Sequence, residues 1–195
     1  MRAKGAQKLK DKPYLFKIVV VEFSQSSLYS IFNPSDIPLS PSSYIRITGV
    51  DFAYKTVSIE DVERDCKLQF WFVSPNKERF KSMYPIYFKG SLGAMMLIDS
   101  EREETLSKVE EMTIFFREAW PTYRKDNPIL LAVDTGICER ISPGPRSRLI
   151  KFAKRLNIRG ITELSIETRR NVNEVFKMMA KLIVNPEYIY KSYYL

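Results

Sequence analysis

Residues 14–29 read Tyr14-Leu15-Phe16-Lys17-Ile18-Val19-Val20-Val21-Glu22-Phe23-Ser24-Gln25-Ser26-Ser27-Leu28-Tyr29. An apolar run rich in β-branched residues, closed by a polar Ser/Gln turn and followed by residues able to start a helix, predicts a buried central strand, a loop and a helix. In α/β proteins the loop at the carboxyl end of such a first strand is where phosphate binds. Here the loop has no glycine and no lysine, and it opens on the carboxylate of Glu22. The position suits a phosphate loop; the residues do not.

The chain has 195 residues, 45% hydrophobic and 28% charged, which suits one domain with a full core. Tails are expected at residues 1–13, basic and flexible, and at 185–195, rich in tyrosine, around a domain at 14–184. The complete absence of histidine excludes a His-based triad, a His-ligated metal and a His general base. Cys66 and Cys138 fit a reducing compartment, hence a cytoplasmic location, and read as small buried apolar residues. No apolar run reaches the roughly 18 residues of a membrane span, and no apolar signal core follows the basic N-terminus.

The net charge of +8 is uneven. Arg2, Lys4, Lys8, Lys10 and Lys12 against Asp11 form one basic cluster; Arg146, Arg148, Lys151, Lys154 and Arg155 form another. The plain expectation is a solvated tail and a solvated helix face. The specific alternative is a peripheral contact of the tail with anionic membrane or nucleic acid, without sequence-specific nucleic-acid recognition. Asp99, Glu101, Glu103 and Glu104 match no metal-ligand template and read as a solvated helix start.

Downstream of the first strand, Leu28 to Phe32 predicts a short helix, ended by a loop with prolines at Pro34, Pro38 and Pro41. Residues 44–59 alternate as a long strand, with Val50, Phe52, Tyr54 and Thr56 on one face and Asp51, Ala53, Lys55 and Val57 on the other. A polar turn leads into a return strand, Cys66 to Val73, so the two pair as a hairpin. A helix is expected over 77–89, a strand over 90–98, an amphipathic helix over 105–120 and a strand over 129–133. Helix 147–156, strand 161–164 and a last helix carrying Val172, Val175, Phe176, Met179 and Ile183 complete the order. Such alternation implies a mostly parallel six-stranded sheet with one antiparallel edge strand and helices on both faces.

Several strings then resemble one family. Gly49-Val50-Asp51-Phe52, Lys67-Leu68-Gln69-Phe70-Trp71, Glu78-Arg79-Phe80, Tyr87-Phe88-Lys89-Gly90-Ser91-Leu92-Gly93 and Asn171-Val172-Asn173-Glu174-Val175-Phe176 are similar to segments of the small GTPases, most closely the Rab branch of the Ras superfamily. The resemblance runs from about Lys17 to Ile183. It implies the small-GTPase fold and a nucleotide site at Glu22, Ser24, Gln25, Ser26, Ser27, Leu28, Tyr29, Asp134 and Ser165.

At those positions the residues depart from the family's pattern. Aligned without gaps, Glu22, Gln25 and Ser27 stand at the phosphate-loop glycines, Leu28 at its lysine and Tyr29 at the magnesium-binding hydroxyl. Replacing a cation by a neighbouring carboxylate shifts the field by on the order of 3 kcal/mol per charge at about 5 Å and an effective dielectric of about 20. Ile47 stands at the metal-binding switch threonine, with Thr48 beside it. Phe72 stands at the metal-linked aspartate and Lys77 at the water-positioning glutamine. Asp134-Thr135-Gly136-Ile137 replaces the guanine-reading Asn-Lys-x-Asp, and Ser165-Ile166-Glu167 replaces Ser-Ala-Lys.

An aromatic triad that contacts effectors in Rab proteins corresponds to Phe52, Trp71 and Tyr87. With Lys77 and Arg79 on the switch-like surface, these are the expected partner-binding residues; the alternative is that the rings simply cover the sheet. Three readings follow, two from the resemblance and one from the charge of the basic tail. The first is a protein-binding module with no GTP, GDP or magnesium. The second is a divergent GTPase that keeps them, with Ser24, Ser26 and Ser27 as phosphate donors. The third is a basic peripheral protein acting through its tail. The tail ending Tyr193-Tyr194-Leu195 lacks the cysteine of a prenyl anchor, so no lipid anchor is expected.

Overall fold

The computed structural model describes residues 12–24, 27, 29, 32, 36–37, 50–60, 62–73, 78–99, 104–121 and 126–185, with 78–80 by backbone alone. Six strands make one sheet: β1 (Tyr14–Glu22), β2 (Val50–Val57), β3 (Cys66–Val73), β4 (Gly93–Asp99), β5 (Ile129–Asp134) and β6 (Gly160–Leu164). The order is β2-β3-β1-β4-β5-β6, every pairing parallel except that of edge strand β2 with β3. The expected architecture and its antiparallel edge are therefore present.

β1 lies inside the sheet because both its faces are apolar. Ile18, Val19, Val20 and Val21 are all fully buried, each worth about 1.5–3 kcal/mol of transfer free energy. Val19 and Val21 point to a layer made by α1 (Tyr84–Phe88), α2 (Thr105–Ala119) and α3 (Pro143–Arg155). Ile18 and Val20 point to the opposite layer, which holds Val175, Phe176 and Met179 of α4 (Val172–Val184). α4 comes very close to β4: a Cβ at Gly93 would strike the Met179 side chain and lie 3.1 Å from the Pro128 carbonyl oxygen.

Four expectations need correction. The helix expected over 77–89 is a 3-10 segment (Glu78–Met83) followed by α1. Pro85 explains the break, since proline is tolerated only in the first turn of an α-helix. α3 starts at Pro143 rather than at residue 147, because Pro143 and Pro145 fall within the first turn, where a missing N–H costs nothing. The strand expected from Gly90 starts at Gly93, since Gly90, with φ of 76°, belongs to the preceding turn. Cys66 is buried as expected, but Cys138 is exposed. It lies past the end of β5, its carbonyl accepting the Thr135 hydroxyl at 2.7 Å. The short helix at 28–32, apart from Tyr29 and Phe32, and the first six residues of the strand expected over 44–59 lie outside the described residues, as do most of the two tails.

Candidate functional site

The loop after β1 is organised by its own carboxylates. The Ser27 hydroxyl donates to Glu22, 3.0 Å from Oε2 and 3.3 Å from Oε1, and itself accepts the Tyr29 N–H at 3.3 Å. The Ser24 hydroxyl donates to Asp99 Oδ1 at the end of β4. Two of the serines expected to offer donors to a phosphate therefore hold carboxylates of the chain itself.

Tyr29 lies over the β2–β3 hairpin. Its ring meets Phe72 edge-on at 5.3 Å, and its hydroxyl hydrogen-bonds the Asp51 carboxylate. Burial first, then the charge and hydrogen bond of Asp51, push the Tyr29 phenol up to about 12, so it stays a neutral donor. Asp51 also accepts the Phe52 N–H at 2.8 Å and is 9% exposed. Phe72, buried, continues into a cluster with Phe32 at 5.8 Å and Phe70 at 6.3 Å, and Phe176 of α4 meets Phe70 at a tilt, at 5.2 Å. The positions that the resemblance aligns with metal-binding residues thus carry a phenol and a phenyl ring packed on each other. Asp51 was placed in the sequence only by its strand face. The signal that could have marked it is a carboxylate on the same face as Ala53 and Val57, where a buried charge needs a partner.

Across the sheet, Asp99 is the register partner of Asp134, which lines up the loops after β4 and β5. Asp134 is buried, and its Oδ1 accepts N–H groups from Gly136 at 3.1 Å and Ile166 at 3.3 Å. Ser165, also buried, accepts the Thr168 N–H at 3.0 Å. Arg170 Nη2 donates to Thr135 Oγ1 at 2.8 Å and to the Cys138 carbonyl at 3.1 Å. Asp134 and Ser165 therefore act here as ties between loops. Gln25, Ser26, Leu28 and Lys77 lie outside the described residues, and of Arg79 only the backbone is described.

The aromatic positions do come together on the α1 face of the sheet. Phe52 and Trp71 are half-buried and meet edge-on at 4.7 Å, over a core that includes the buried Tyr87. Lys17, which sequence reading passed over inside an apolar strand, stands 3.6 Å above the Trp71 ring and donates to the Lys89 carbonyl at 2.9 Å. Burial pulls its ammonium down to about 8; the ring face and the carbonyl favour the charged form. Trp71 Nε1 is buried and has no hydrogen-bond partner among the described residues. On the same sheet face Leu15 is 60% exposed, and Ile86 of α1 is 61% exposed.

Among the described residues no cluster of three or more His, Cys, Asp or Glu could hold a metal ion, and no helix is long and apolar enough to cross a membrane. A sequence model of the Ras family matches residues 26–185. The chain is 32% identical over 121 residues to Ras-related protein Rab-11A of Dictyostelium discoideum, covering 60% of this chain and 53% of that one. It is 26% identical over 174 residues to human Ras-related protein Rab-3A, covering 87% of this chain and 74% of the relative. Ras-related protein Rab-7L1 of Rattus norvegicus is 25% identical over 178 residues, covering 89% and 84%. The match thus spans about half the length of the first of these relatives and more of the others.

Proposed function

The chain belongs to the Ras family, matched by its sequence model over residues 26–185, and from that premise we propose that it is a nucleotide-independent binding module. Its nucleotide pocket is closed by its own side chains, and it works as a complex subunit or scaffold, in the cytoplasm, without GTP, GDP or magnesium. The observation that carries this reading is the contact of Tyr29 with Phe72 and Asp51. A metal ion there would have to displace a phenol from a carboxylate and a ring from a ring. The Ser27–Glu22 pair supports the same reading, since a phosphate would compete with a carboxylate already in place. Repulsion between the two anions adds to that cost.

The partner surface in this proposal is the face bearing Phe52, Trp71 and Tyr87. It combines the half-buried rings of Phe52 and Trp71 with the cation of Lys17 above the Trp71 ring. Rings around a charged centre are the usual anchors of a protein interface. Lys77 and Arg79 belong to the same proposed surface, and a contact of the basic tail with anionic membrane is compatible with it.

The test is a thermal-shift titration with GDP, GTP and ATP in magnesium, together with mass analysis of any nucleotide that co-purifies. A ligand at 100 times its dissociation constant adds about 2.7 kcal/mol to stability. The expected result is no co-purified nucleotide and no stabilisation specific to guanine. A guanine-specific shift would overturn the proposal in favour of a divergent GTPase, the reading in which the loop serines turn from carboxylate to phosphate.

A further inference from the structure

At the far edge of the sheet, an open cleft of about 650 Å³ lies between β6, the start of α3 and the turn before α4. None of the residues assigned above to the nucleotide pocket lines it. Its volume falls within the range of small-ligand sites, roughly 300–1,000 Å³. Three guanidinium groups reach it from three separate segments: Arg140 before α3, Arg146 in its first turn and Arg170 before α4. The one carboxylate in the lining is Glu163.

Glu163 is committed to the protein. Its Oε1 accepts Arg146 Nε at 3.3 Å and its Oε2 the Ile141 N–H at 3.2 Å, which fixes the arginine and the loop before α3. Arg170 is anchored through Nη2 alone; its Nε and Nη1 make no hydrogen bond among the described residues. Arg140 makes no hydrogen bond or ion pair among them. Three guanidiniums against one carboxylate leave the cleft two positive charges in excess. Like charges held around one cavity repel, and a dianion between them reverses the sign of that energy.

We propose that this cleft binds a phosphomonoester carried on a small organic body. The group has about two negative charges at neutral pH and three acceptor oxygens, matching the excess charge and the forked donors of Arg140 and Arg170. The start of α3 adds little, since Pro143 and Pro145 remove two of its first three amides and leave that of Gly144. Selectivity therefore rests on the arginines. Ile141, Ile150 and Ile161 form an apolar wall for the body that bears the phosphate. The phosphate belongs either to a soluble metabolite or to a lipid headgroup. This site is independent of the binding-module reading above, and either can fail without the other.

The experiment is calorimetric titration of the whole chain with phenyl phosphate, which joins the dianion to an apolar ring, with inorganic sulfate as a control. Phenyl phosphate is expected to bind saturably at one site, more tightly than sulfate and less tightly as salt rises. Arg140→Ala is expected to weaken it about tenfold or more. Since Arg140 is exposed and unpaired among the described residues, that variant keeps the fold. Absence of saturable binding, or binding that Arg140→Ala leaves unchanged, overturns the proposal. Cosedimentation with phosphatidylcholine vesicles containing phosphatidylinositol monophosphate separates the two sources. Capture that depends on Arg140 assigns the lipid headgroup; phenyl phosphate binding without such capture assigns a soluble ligand. Equal capture by phosphatidylserine vesicles, unaffected by Arg140→Ala, counts against a phosphomonoester site.

Discussion

After β1, the carboxylates of Glu22, Asp51 and Asp99 each receive a hydroxyl from Ser27, Tyr29 or Ser24. Beside β6, Arg140 has no partner among the described residues, and Arg170 uses one nitrogen of its guanidinium. One region answers its charge from within the chain, so a ligand must displace something; the other leaves charge unanswered, so a ligand has only to arrive. The family's usual place for an anion and this chain's best place for one are therefore different parts of the same sheet.

The sharpest way to break the comparison is to restore the family's aspartate at the closed end. Phe72→Asp removes a ring from the Tyr29–Phe32–Phe70 cluster and puts a carboxylate directly across from Asp51, its register partner in β2. The expected loss is about 3–5 kcal/mol in urea unfolding, with no gain in magnesium binding. A small loss accompanied by magnesium-dependent stabilisation would mean that the site is a metal site held in waiting.

A milder cut is Asp51→Asn. It removes the charge that adds to burial in raising the Tyr29 phenol, so the Tyr29 titration should fall below about 12 while burial keeps it above the ordinary 10, with a stability loss of about 1–2 kcal/mol. In the unaltered chain Tyr29 holds its proton longer when folded, so this group's share of stability falls as pH rises from about 10 to about 12. The variant should flatten that fall, as followed by NMR of ring-labelled tyrosine and by unfolding at each pH.

Lys17 carries the opposite sign. With its folded value near 8 against an ordinary 10.5, the unfolded chain binds more protons between those limits, so stability rises with pH across that window. Lys17→Met should remove the rise while leaving the Tyr29-dependent fall above it. The smallest effect on folding is expected at the open end. Arg140→Ala should change stability by no more than about 0.5 kcal/mol, because the side chain is exposed and its removal takes away no hydrogen bond or ion pair among the described residues.

The sheet was legible because its signals are local and repeated. Ile18 to Val21 read as a strand buried on both faces, and the alternation of residues 50–57 set which side chains share a face of β2, both faces of which meet core. Element starts were less legible wherever proline stood, because Pro85 and Pro143 read as breakers yet occupy first turns that tolerate them. The closed loop was half legible. A phosphate loop without glycine or lysine is visible as letters, but the meeting of Tyr29 with Asp51 joins residues far apart in the chain and waits on the fold. The cleft was not legible at all, since Arg140, Arg146 and Arg170 lie on three segments and only Arg146 belonged to a cluster visible in the sequence.

The most direct measurement is a residue-resolved NMR titration of the whole chain with magnesium and GDP. The closed-pocket account predicts that the amides of Glu22, Ser24, Ser27, Tyr29 and Ile166 stay where they are at every nucleotide concentration. Saturating, guanine-specific shifts at Ser27, Tyr29 and Ile166 would contradict it and return the chain to the nucleotide-binding members of its family.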